Sequence, residues 1–285
     1  MTSASAHIDY LLHLADNAVV LGQRNAEWCG HGPILEEDIA MSNISLDLIG
    51  QARMLYQHVA ALKNDGSTED SLAYFRHAGE FRNYTLLELP HHQALVGYAV
   101  DNRDYAVTIV RNFLYSALMA LLWEQLQQSK DTQLAAIAAK SLKEVRYHLR
   151  HSHDWLVRFG DGTDESHQRA QAALDQLMPY TQEFWSASAF ETQAATDGVG
   201  VAMDGLKNDW HTLLQNAVTE ATLQMPSSDG FVTTGKHGVH SEHLSYLLDE
   251  MQSLARAHPE GVWLATWQRA HHGPAPKMFG LRWRC

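Results

Sequence analysis

Four long stretches of this sequence repeat apolar residues every three to four positions, and they fall into two pairs, each joined by a short break. Such stretches form helices that each bury one stripe, and the stripes must be laid against one another. In the first pair, Ile8, Leu11, Leu12, Ala15, Val19 and Leu21 mark a helix over 8–26. Gly30, Gly32 and Pro33 end it, and Glu36, Glu37 and Asp38 put negative charge where a helix N-terminus favours it. Ile39, Ile44, Leu48, Ile49, Ala52, Leu55 and Val59 carry the second helix to residue 62. The second pair is a strongly apolar helix over 104–129 and a helix over 132–159, stopped by Gly160-Asp161-Gly162. Two antiparallel hairpins, 8–62 and 104–159, make a four-helix bundle.

Further helices are predicted over 165–193, capped by Thr163 or Asp164, and over 204–224 and 240–257. Residues 70–98 read as short helices and turns broken at Pro90, and Pro226 to Gly238 reads as loop. The fold class is therefore all-α, a four-helix bundle with additional C-terminal helices. Residues 1–263 are expected to form one helical domain. The stretch 264–285, with His271-His-Gly-Pro-Ala-Pro276 and Arg282-Trp-Arg-Cys285, is expected to be a disordered or atypical tail.

A net charge of −12 argues against nucleic acid as a general partner, since phosphate binding needs a basic surface. Two cysteines, Cys29 and Cys285, give neither a disulfide framework nor a metal pair. The first residues lack the pattern of a signal peptide, and no run approaches the ~18 apolar residues of a membrane span. A cytoplasmic location is expected, without a membrane or nucleic-acid partner.

Four-helix bundles often hold two metals by a definite recipe: two helices each give a Glu, and two each give Glu-x-x-His. Pairing the first hairpin about residue 31 or 32 puts Asp16 opposite Asp47, with Gln23, Asn43 and Gln51 on nearby faces. The motif there reads Asp47-x-x-Gly50. Pairing the second hairpin about residue 130 puts His148 opposite Phe113 and Glu144 opposite Ala117, and the motif reads His148-x-x-His151. From Tyr105 to Trp123 there is no Asp or Glu, only Asn112, Tyr115 and Ser116 as neutral polar groups near that level. Asp16, Asp47, Glu144, His148 and His151 thus supply at most three carboxylates and two histidines where four and two are needed. Lys140 and Arg146 flank Glu144 and can neutralise it. The expectation is a degraded metal site in which hydrogen bonds or an ion pair replace the metals.

Plainer readings stand beside this one. Asp16 and Asp47 are either solvated helix residues, a buried polar remnant or metal ligands. His148 and His151 read as hydrogen-bonded histidines before ligands, in a chain with 18 histidines. His240, Glu242 and His243 imitate a metal cluster but fit helix packing or a subunit contact better. Cys29 has no activating partner in sequence.

The run Leu21-Gly-Gln-Arg-Asn-Ala-Glu-Trp-Cys-Gly-His-Gly-Pro33, with Asn43-Ile-Ser-Leu-Asp-Leu-Ile-Gly-Gln-Ala-Arg53, resembles the first hairpin of the C-type subunits of phenylacetyl-CoA epoxidases. Lys143-Glu-Val-Arg-Tyr-His-Leu-Arg150, the Gly-Asp-Gly-Thr-Asp run ending at Asp164, His240-Ser-Glu-His-Leu244 and Asp249-Glu-Met-Gln252 resemble that family too. The resemblance spans residues 8–263 and implies a ferritin-like bundle. It implies an oxygenase complex, in aerobic phenylacetate degradation, that epoxidises the ring of phenylacetyl-CoA with oxygen and with electrons passed from NADPH by a reductase. In such complexes the catalytic A-type subunit holds the di-iron site and substrate, and the C-type subunit is structural. No cofactor is then expected in this chain, with iron in the partner catalytic subunit, and a homodimer or hetero-oligomer is expected. Two other functions compete: a di-metal oxygenase with non-standard ligands, active with a reductase, and an acyl-CoA-binding module that works without metal.

Overall fold

The computed structural model describes residues 2–92, 103–226 and 231–259. The helices in order are α1 (Ser3–Ala26), α2 (Leu35–Lys63), α3 (Glu69–Tyr74), α4 (Thr85–Glu88), α5 (Tyr105–Leu126) and α6 (Thr132–Gly160), then α7 (Asp164–Leu177), α8 (Gln182–Trp185), α9 (Ala189–Asp197), α10 (Lys207–Glu220) and α11 (Glu242–Ala257). Among the described residues there is no strand. The protein is all-α, a ferritin-like bundle: α1 packs along α2, α5 along α6, and α2 joins the hairpins across α6. The later helices wrap this frame, with α7 and α10 against α5 and α6, α9 against α1, and α11 against α3.

Local chemistry fixes the helix starts. Thr2 caps α1 by accepting from the Ser5 amide, Asp131 caps α6 through the Gln133 and Leu134 amides, and Thr163 forms a capping box with Ser166 at α7. The helix predicted over 165–193 is divided into α7, α8 and α9. Pro179, which has no amide hydrogen to donate, opens a 3-10 turn over Met178–Thr181, and Ser188 with Glu191 caps a new start at α9.

α5 is apolar on nearly all sides, the signature of a helix buried all round. It is long and apolar enough to meet the composition test for a membrane span, contrary to the expectation that no segment would, but 89% of its most apolar window is buried inside the protein. Gly160 allows a close backbone approach, because a Cβ there would collide with the Ala221 backbone at the end of α10. The tail over 264–285, including Cys285, lies outside the described residues.

Three buried carboxylates fasten the chain after the bundle. Glu88 accepts from His240 Nδ1 at 2.8 Å and the Ser241 amide at 2.6 Å. Glu183 accepts from the Thr85 amide at 2.9 Å and the Lys236 amide at 3.0 Å. Lys236, 1% exposed, donates through Nζ to Glu191 at 2.8 Å and to the Ser186 carbonyl at 2.7 Å. Each of these buried groups is tolerated only because it is hydrogen-bonded, and Lys236 and Glu191 are also ion-paired.

Candidate functional site

Asp16 sits on α1 with no solvent exposure. Its carboxylate accepts from the Tyr56 hydroxyl at 2.5 Å, from the Arg82 amide at 2.8 Å, and from both terminal nitrogens of Arg76, with Nη1 at 3.1 Å. Arg76 also donates to the Leu72 carbonyl at 2.6 Å and the Glu80 carbonyl at 2.9 Å, and its guanidinium lies 4.2 Å from the Phe81 ring centre. Burial alone would lower the Arg76 pKa, but the charge of Asp16, the neighbouring Tyr56, the hydrogen bond to Asp16 and Glu80 together more than offset it and hold the group above its usual range. This buried carboxylate has four donors and a countercharge. It has none of the open coordination a metal ligand needs.

Asp47 is not opposite Asp16. Tyr56 is, and Gly22 lies against Ser45, Leu48 and Ile49. Both levels centre the antiparallel pairing near residue 35, about one helical turn beyond the glycines that read as the turn. The reason is that α2 starts at Leu35 beyond the end of α1 and overhangs it. Asp47, with 38% of its side chain exposed, instead accepts from His148 Nε2 on α6 at 3.1 Å.

The remaining candidates line the seam between α2 and α6 as separate pairs. Gln51 donates to Glu144 at 3.0 Å, and Lys140 lies 3.9 Å from the same carboxylate. Arg146, the other expected neutraliser, turns away to Glu124 at 3.3 Å. His151 donates to Glu37 at 2.9 Å, and the Tyr105 hydroxyl reaches the same oxygen at 2.7 Å. On α5, Phe113 faces the His153 ring, with centroids 6.2 Å apart. On that side α1 and α5 meet through a reciprocal amide pair, Asn25 to Asn112 at 2.8 Å and back at 3.0 Å. Among the described residues, no three ligand atoms of the five candidates lie within 4.8 Å of one another. The donor set does not fit a di-iron centre.

The partners that hold these groups escaped sequence reasoning. Arg76 and Arg82 belong to irregular chain with no periodicity to align them with Asp16. Glu37 read as a helix-start charge. His240 closes on Glu88 rather than on Glu242, which is exposed, so that imitation of a metal cluster does not assemble. Cys29 is free and exposed.

Beside this seam His91 is buried in a chain of hydrogen bonds that defines its tautomer. Its Nε2–H donates to the Arg24 carbonyl at 2.6 Å, while Nδ1 accepts from the Thr108 hydroxyl at 2.6 Å, which in turn accepts from Trp28 Nε1 at 2.9 Å. Burial, then the charges of Arg111 and Arg24, push its pKa well below the ordinary value. Arg111 is itself pulled down to about 9 by burial and by Arg24. The folded state prefers neutral His91, so its contribution is complete above the unfolded pKa of about 6.5 and is lost as pH falls below that value. Thermal midpoints measured from pH 7.5 to pH 5.5, the window about that value, are expected to fall less steeply for His91→Gln than for the unaltered chain. Equal slopes would show that His91 is not held neutral.

Two comparisons bear on this geometry. The model of a family described as phenylacetic acid catabolic protein matches residues 1–263. The C subunit of the 1,2-phenylacetyl-CoA epoxidase of Escherichia coli (strain K12) is 42% identical over 254 residues, which cover 89% of this chain and 98% of that protein.

Proposed function

The chain belongs to the phenylacetic acid catabolic protein family, and from that membership we propose that it is a non-catalytic structural subunit of a multicomponent phenylacetyl-CoA epoxidase. Its role is to bind and stabilise the di-iron catalytic subunit, the A-type partner, in aerobic phenylacetate degradation, where a reductase supplies the electrons. The observation that carries this reading is the fate of the carboxylates. Asp16 is consumed by Arg76, Tyr56 and the Arg82 amide, and α5 offers no Asp or Glu over Tyr105 to Trp123. The name of the E. coli relative, which is one component of this epoxidase, supports the same assignment.

A subunit that works by association needs a docking face, and α2 has a suitable one. Leu35 is 72% exposed, Ile39 53% and Leu46 66%, all on the side of α2 away from its buried Met41, Ile44, Leu48 and Leu55, and Ile49, 37% exposed, borders them where it meets Gly22 of α1. These residues recur every three to seven positions, so they share one face. Tyr147 of α6, 41% exposed, stands on the neighbouring helix beyond the Asp47–His148 pair. Large apolar side chains exposed along one helix face favour an interaction site. The partner we assign to it is the catalytic subunit.

The test is turnover. The purified chain with reductase, NADPH, oxygen and phenylacetyl-CoA is expected to form no epoxide, and epoxide formation is expected once the catalytic subunit is present. Epoxide formed by the chain and reductase alone would overturn the proposal in favour of a di-metal oxygenase with non-standard ligands.

A further inference from the structure

At one end of the bundle, away from the α2–α6 seam, three helix ends bring His7, His58 and Asp131 together. His7 comes from the first turns of α1, His58 from the last turns of α2, and Asp131 from the residue that caps α6. The nearest ligand atom of each lies within 4.8 Å of the others. His7 Nε2 is 2.7 Å and His58 Nε2 2.6 Å from the same oxygen, Asp131 Oδ2. The two rings meet edge to face with centroids 6.2 Å apart.

The carboxylate is positioned before any ligand arrives. Its Oδ1 accepts from the Gln133 and Leu134 amides at 3.0 and 3.1 Å, which leaves Oδ2 aimed at both imidazoles. The loop that carries Asp131 is pinned in turn. The Ser129 hydroxyl donates to the Val199 carbonyl at 2.7 Å, and the Lys130 amide donates to the Gly198 carbonyl at 2.9 Å. Asp131 and His58 are largely buried, with side-chain exposures of 8% and 12%, whereas His7, at 22%, borders solvent. Two imidazoles and one carboxylate, with an edge open to water, are the ligand types of a three-residue site for a borderline divalent ion. An ion about 2.0–2.2 Å from each ligand atom would need them roughly 3.3 Å apart, so each imidazole must back away by only about 0.6 Å, within reach of a small side-chain rotation.

We propose that His7, His58 and Asp131 bind one divalent transition-metal ion of the zinc class, with water completing its coordination, and that the ion staples the ends of α1, α2 and α6. This site is separate from the five candidates of the seam and is independent of the structural-subunit reading.

The full chain, stripped with EDTA and dialysed, would be titrated with Zn2+ by calorimetry and with Co2+ by visible absorption. The expected result is one saturable Zn2+ site per chain, with a rise in thermal midpoint on zinc addition and a Co2+ spectrum of low coordination number. Asp131→Asn keeps an N-cap side chain for α6, so it is expected to fold with an unchanged midpoint in EDTA. It and His58→Gln are each expected to weaken Zn2+ roughly tenfold or more and to lose the zinc-dependent rise. The absence of a saturable site in the unaltered chain would overturn the proposal. So would a site whose affinity is unchanged in both variants, which would place zinc on other histidines of the surface.

Discussion

Asp16→Asn is expected to lower the midpoint of thermal unfolding by roughly 6–20 °C. Breaking a buried ion pair by removing one partner costs about 3–5 kcal/mol, and each kcal/mol shifts the midpoint of a large domain by about 2–4 °C. The substitution leaves the Arg76 guanidinium, itself only 9% exposed, without its countercharge. It also replaces an acceptor-only carboxylate, which takes donors from Tyr56, Arg76 and Arg82, by an amide whose NH2 must face one of them. Tyr56→Phe removes one hydrogen bond and is expected to cost only about 1 kcal/mol. A double replacement, Asp16→Leu with Arg76→Met, is expected to recover much of the loss, because neither charge is then buried alone. The reading of Asp16 as a structural anchor fails if Asp16→Asn melts within a degree or two of the unaltered chain, or if the double variant is worse than the single one.

Ile39→Asp combined with Leu46→Asp is expected to weaken association with the catalytic subunit by about 100-fold or more. Each places a charge at an apolar, exposed position of α2, and loss of a central apolar contact typically costs 2 kcal/mol or more; 100-fold corresponds to about 2.7 kcal/mol. Both side chains are more than half exposed, so the isolated chain is expected to melt within about 0.5 kcal/mol equivalent of the unaltered one. Co-purification and a binding titration read the first effect, and calorimetric melting reads the second. Undiminished co-purification would move the interface off α2. A chain that no longer folds would show that these residues are core rather than contact.

The bundle was legible because its signal is local and repeated. Helical period, the Gly30 to Pro33 break and the Thr163 cap are each readable within a few residues, and both hairpins and most later helices follow from them. Register was less legible. The glycines mark where α1 stops, but the overhang of α2 depends on what its first turns pack against, and that shifts Asp47 away from Asp16 to His148. The division of 165–193 turns on Pro179, whose effect is masked in the sequence by the apolar period around it. The partners of Asp16 were least legible. Arg76 sits 60 residues along the chain in short helical turns, where nothing in the sequence sets its direction. The shortage of carboxylates on α5, by contrast, needed no register at all, because no Asp or Glu occurs from Tyr105 to Trp123 and the only one on the helix, Glu124, lies in its last turn.

That shortage is also the point on which the functional account turns, and iron content tests it most directly. Iron per chain would be measured by elemental analysis after expression of the chain alone in iron-supplemented medium, for the unaltered protein and for His58→Gln. No stoichiometric iron is expected in the bundle, and any iron carried by the unaltered chain is expected to be lost in His58→Gln. About two irons per chain in both proteins, the stoichiometry of the di-iron recipe, would contradict it and return Asp16, Asp47, Glu144, His148 and His151 to the role of ligands.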